Sequence, residues 1–132
     1  MTGTFPLVVL AAAVAGFSAS GVYYTIFQGP LAAARPDAAV VASPFPWTYA
    51  VEFVRTLVTA GVAAAVASVA EIDSWVGGLA LSLALWVGFP LMLWVGALLH
   101  EGTGLRLAAI HAGDWLIKLA LIGTIVGAWS PL

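Results

Sequence analysis

The chain contains no cysteine, which excludes disulfides, thiolate metal sites and a cysteine nucleophile. Charge is nearly as scarce. Four Lys and Arg and six Asp and Glu make up 8% of 132 residues, where soluble domains carry about 25%. Ten charged side chains cannot cover the surface of a water-soluble fold of this length, so lipid is the expected solvent. Arg35, Arg55, Arg106 and Lys118 are all the basic residues and the formal net charge is -2. There is no basic face to collect phosphates, and nucleic acid is not an expected partner. The chain also lacks a GxSxG elbow, a phosphate-cradling loop and a dinucleotide fingerprint. His100-Glu101 opens like the metalloprotease HExxH, but the fifth position is Gly104. No enzyme activity and no cofactor are expected.

Apolar residues are what the chain has in excess: 63% of it, with a mean hydropathy of +1.09. Each membrane span needs about 20 mainly apolar residues to cross about 30 Å of hydrocarbon. Four stretches meet that length, approximately 5–27, 47–70, 75–99 and 105–129. The reading is an all-α integral membrane protein, a four-transmembrane-helix antiparallel bundle forming one membrane domain over 1–132. The first run opens almost at Met1 without a basic segment and continues past a leader's length toward Phe27, which predicts a retained span.

The connection from Gln28 to Pro46 is long and carries Pro30, Pro36, Pro44 and Pro46, with an Ala-rich middle compatible with a short interfacial helix around Leu31 to Val41. Glu71–Ser74 and His100–Gly104 are tight, making the last three spans sequential neighbours. Arg35, Arg55 and Arg106 fall on the side of loops one and three, so the positive-inside rule places those loops in the cytoplasm and both termini outside a cytoplasmic (inner) membrane. Trp47, Tyr49, Trp75 and Trp129 near span ends fit interfacial belts.

Small residues on every span offer close helix contact: Gly123 and Gly127 form a GxxxG, Gly88 and Gly96 repeat at twice that spacing, and Gly16 with Ser20 and Ala60 with Ala64 and Ser68 continue the theme. Pro90 removes a helical hydrogen bond and clashes with the preceding turn, so a kinked third helix is expected.

Ionisable residues within spans carry the most information, because each costs about 2.5–3.5 kcal/mol or more at the bilayer centre unless paired or hydrated. They are Glu52, Arg55, His111, Asp114 and Lys118. At about 1.5 Å per residue, Glu52 and Arg55 lie about 8 and 12 Å in from Trp47, and His111 and Asp114 at matching depths from Arg106. His111, Asp114 and Lys118 share one helical face. The expectation is a buried ionic cluster between the second and fourth helices, pairing Glu52 with His111 and Arg55 with Asp114. Tyr23, Tyr24, Thr25 and Gln28 reach the same side and could complete its hydrogen bonds. His111, Asp114 and Glu52 have donor atoms for a divalent metal, but two nearby cations oppose one, and no metal site is assigned.

Trp86-Val-Gly88-Phe89, Glu101-Gly102, Leu107, Ile110, Ala112-Gly113 and Ile122-Gly123-Thr-Ile-Val-Gly127-Ala-Trp129, with Gly21-Val-Tyr23-Tyr24 before a Gly-Pro loop, resemble the small membrane proteins of domain-of-unknown-function family 1761. The resemblance implies a four-helix integral membrane protein and brings no catalytic residues. Asp114 and Lys118 stand where it leads one to expect uncharged or aromatic residues.

The function expected is that of a small non-enzymatic membrane protein acting through helix–helix association, as an accessory or assembly subunit or a self-associating bundle. Its expected partners are the lipid bilayer and further copies of itself or a larger membrane complex. The alternative is a small homo-oligomeric transporter or channel for protons or a small solute, using Asp114 and Lys118. An intramembrane enzyme or a pigment- or metal-binding unit around His100 or His111 is a third reading.

Overall fold

A computed structural model describes residues 3–34 and 46–129, and among them every regular element is a helix. In chain order these are α1 (Phe5–Ile26), α2 (Gln28–Ala34), α3 (Pro46–Val69), α4 (Trp75–Gly88), α5 (Pro90–His100) and α6 (Leu105–Trp129). Four helical stretches are long and apolar enough to cross a membrane: α1, α3, the run Trp75–His100 formed by α4 and α5, and α6. The expected spans agree with these to within one residue at each end.

Local chemistry explains the boundaries. A proline in its first turn, where no amide is needed, opens α1. The α3–α4 turn closes with Ile72 N donating to Ala67 O at 2.9 Å and Glu71 N to Ser68 O at 3.2 Å. That is the paired bonding of a Schellman end, with Glu71 in the left-handed region at φ 55° where glycine is usual. Ser74 then caps α4 by accepting from Gly77 N at 3.1 Å. At the α5–α6 turn Gly102 takes the left-handed position, φ 67°.

The third of these stretches is interrupted at one residue. Phe89, at φ -122° and ψ -78°, ends α4 and begins α5. Pro90 follows it, as its missing amide requires. The short helix expected around Leu31–Val41 begins earlier, at Gln28, directly after Phe27 interrupts α1; residues 35–41 lie outside the described residues, as does Arg35.

The core is built of small side chains. Ala60, Ala63, Ala64 and Ala67 recur at i, i+3, i+4 and i+7 along α3 and meet Val8, Ala12 and Ala13 of α1 and Ile122 and Val126 of α6. Alanine at the contact lets backbones approach closely, which is how helices gain packing energy where burial from water contributes little. α6 is the most enclosed of the four long apolar stretches and packs chiefly on α4, next on α1.

Glycine makes the α4–α6 contact possible. A Cβ at Gly127 would lie 2.9 Å from the Gly78 Cα, one at Gly78 would run into the Gly123 carbonyl, and one at Gly123 into the Ser82 side chain. The expected pair Gly123 and Gly127 therefore sits at a helix contact, opposite Gly78 and Ser82, which the sequence reading did not single out. Gly88 and Gly96 meet no other helix among the described residues: nothing beyond the surrounding helical backbone lies within 4 Å of a Cβ built at either. Their spacing suggested close helix contact, but Gly88 ends α4 and Gly96 lies within α5, on either side of Phe89.

Candidate functional site

A group of polar residues in the bundle interior meets where α1 crosses α6. Ser20, Tyr23 and Tyr24 occupy i, i+3 and i+4 on α1, one helical face. Asp114, Ile110 and His111 form the matching set on α6. Ser20 donates through Oγ to Asp114 Oδ1. Tyr23 Oη donates to the Ile110 carbonyl at 2.6 Å, and Tyr24 Oη is 2.6 Å from His111 Nδ1. Ser20 meets Asp114, and one turn further along α1 Tyr23 and Tyr24 meet Ile110 and His111 one turn back along α6, so three contacts fasten the two helices.

Asp114 and Lys118 are the enclosed ions. Their residues are 3% and 4% exposed. Lys118 Nζ lies 3.4 Å from Asp114 Oδ2, so one carboxylate oxygen faces the ammonium and the other accepts from Ser20. The ammonium also sits 4.6 Å from the centroid of the Trp115 ring, a cation–π position that offsets part of the lost hydration. At about 1.5 Å per residue, Asp114 is about 14 Å and Lys118 about 20 Å from the start of α6, which places Lys118 close to the helix midpoint. Every buried side-chain nitrogen and oxygen among the described residues has a hydrogen-bond partner.

Around this pair, α5 and α4 complete the polar belt. Trp94 stacks on the His111 ring, with centroids 4.8 Å apart and planes 15° apart. Trp86 Nε1 donates to the Ala112 carbonyl at 2.8 Å. His111 is thus flanked by Tyr24 from α1 and Trp94 from α5. A Cβ on Gly113 would strike the Tyr23 hydroxyl, so glycine there lets Tyr23 pass over α6 to reach Ile110.

The five ionisable residues expected in one cluster divide into two groups. Arg55 is ion-paired with Glu52 of its own helix, and their side chains are 55% and 40% exposed. The expected pairings of Glu52 with His111 and of Arg55 with Asp114 are replaced: His111 takes Tyr24, and Asp114 takes Ser20 and Lys118. The physical reason is that α1 supplies the main polar face opposite α6, while α3 buries an alanine face and turns Glu52 and Arg55 outward. Thr56, one residue on, is buried and donates to the Glu52 carbonyl at 2.9 Å. Of the other expected hydrogen-bonding residues, Tyr23 and Tyr24 join the site, whereas Thr25 donates to Gly21 of its own helix.

Ser20, Trp94, Trp115 and Trp86 belong to the site and were not assigned to it from sequence. Ser20 had a visible signal, since it precedes Tyr23 and Tyr24 by three and four residues. Among the described residues no group of three His, Asp or Glu side chains is placed to hold a metal ion. The arrangement can lock helices together through a neutral, internally solvated ion pair. It also places one amine and one carboxylate, each a proton carrier, near mid-helix.

Residues 7–127 match the model of a family described as "Protein of unknown function (DUF1761)". No curated protein and no solved structure matches the chain.

Proposed function

This chain belongs to the DUF1761 family, and from that premise we propose that it is a non-enzymatic, four-span protein of the cytoplasmic membrane that works through helix association, as an accessory or assembly subunit or a self-associating bundle. On this reading the four spans run antiparallel, both termini face outward, and loops one and three are cytoplasmic, in accord with the placement of Arg55 and Arg106. The observation that carries the reading is the buried Asp114 carboxylate, which faces Ser20 of α1 through one oxygen and Lys118 of its own helix through the other. A charged group bonded on both oxygens across a helix contact holds one packing arrangement against alternatives.

The test is native mass spectrometry of the protein extracted gently from its own membrane. Reproducible assemblies, with itself or with other membrane subunits, are expected; a monomer carrying only lipid contradicts the reading.

A second reading, transport of protons or a small solute, draws support from the depth of Lys118 and its carboxylate neighbour. Flux into proteoliposomes that is abolished by Lys118→Met in a protein that still folds would favour it. Flux indifferent to that change, or none, would leave the association reading in place.

A further inference from the structure

We propose that the outward polar flank of α3 is a self-association surface and that its occupant is the same flank of a second copy of this chain. The inference rests on the association reading and names its partner. At 100° per residue, Thr48, Glu52, Arg55 and Thr59 fall within an arc of about 60° on α3. This arc is distinct from the alanine face that meets α1 and α6 and from the valines Val54 and Val58, which are 55% and 59% exposed. Glu52 and Arg55 lie about 9 and 14 Å along the helix from Pro46, inside a stretch apolar enough to cross a membrane. Yet their side chains are 40% and 55% exposed. An ion pair on the outer surface of a span is costly against acyl chains.

The charge pattern selects the occupant. A lone arginine would extend to the anionic headgroups, but Arg55 is bonded to Glu52, and a locally neutral pair gains little from an anionic surface. A partner of one sign would leave either Glu52 or Arg55 opposed by like charge. A second copy related by a two-fold axis presents the acid and the base together, so each Glu52 can meet the other copy's Arg55 and each face is its own complement. Thr59 donates to the Arg55 carbonyl at 2.9 Å, which leaves a compact hydroxyl flank one turn further along for close approach.

The absence of cysteine makes the test direct, because any introduced thiol is the only one. Full-length Thr59→Cys and Val54→Cys variants in liposomes are exposed to an oxidant, and charge variants are followed by single-molecule photobleaching. The proposal expects Thr59→Cys to form a covalent dimer while Val54→Cys stays monomeric. Glu52→Arg weakens association by about tenfold or more, and the swap Glu52→Arg with Arg55→Glu restores it. Equal crosslinking at both positions, or a swap that fails to rescue a folded protein, overturns the proposal. Monomeric Thr59→Cys alongside a stable assembly with other membrane subunits overturns it while leaving the association reading intact. Monomers in every assay overturn both.

Discussion

Glu52 with Arg55 and Asp114 with Lys118 are the same chemical device, an acid followed by a base one turn later on a membrane-length helix. The α3 pair has side chains 40% and 55% exposed, and the α6 pair 5% each. The neighbours make the difference. Opposite Asp114, α1 presents Ser20, Tyr23 and Tyr24; α3 offers α1 and α6 a face of alanines and keeps its charges outside. An ion pair is drawn into a bundle by hydrogen bonds waiting for its remaining valences, and composition alone does not decide it.

The contrast implies graded consequences for mutation. The largest effect is expected at the enclosed pair: Lys118→Met or Asp114→Leu alone leaves a buried charge without its counter-ion and should lower unfolding stability by about 3–5 kcal/mol. Denaturant titration in mixed micelles measures this. The double variant Asp114→Leu/Lys118→Met removes both charges and should cost less than either single change, since well-packed apolar replacements of buried pairs are often neutral. Additive losses would mean that the pair is not coupled.

Ser20→Ala should cost about 1.5–3 kcal/mol, the range for a hydrogen bond to a charged group, and the same titration reads it. At the smallest end, Glu52→Gln or Arg55→Met should cost the single chain less than either enclosed single change, because at the outer surface the remaining charged side chain can extend toward the headgroups. A loss at Arg55 as large as at Lys118 would erase the distinction between the two sites.

The sequence made some of this legible and hid the rest for physical reasons. The limits of the long apolar helices follow from length and hydropathy, and Pro90 marks where α4 ends and α5 begins. Asp114 and Lys118 were visible as charges in an apolar run. Their partners were not, because depth along a helix says which residues share a level and nothing about which helices touch. The matching depths of Glu52 and His111 suggested α3 against α6, whereas the polar stripe Ser20, Tyr23, Tyr24 held the answer in its own spacing. Gly78 escaped notice for a related reason: a glycine matters where another backbone reaches it, and its partners Gly123 and Gly127 lie some 45 residues on along the chain.

The central claim is that Asp114 fastens α1 to α6, and a double-mutant cycle between Ser20→Ala and Asp114→Leu tests it most directly. The account predicts that the stability loss from Ser20→Ala largely disappears once Asp114 is leucine, a coupling of about 1.5–3 kcal/mol. Additive losses, agreeing within about 0.5 kcal/mol, would contradict it.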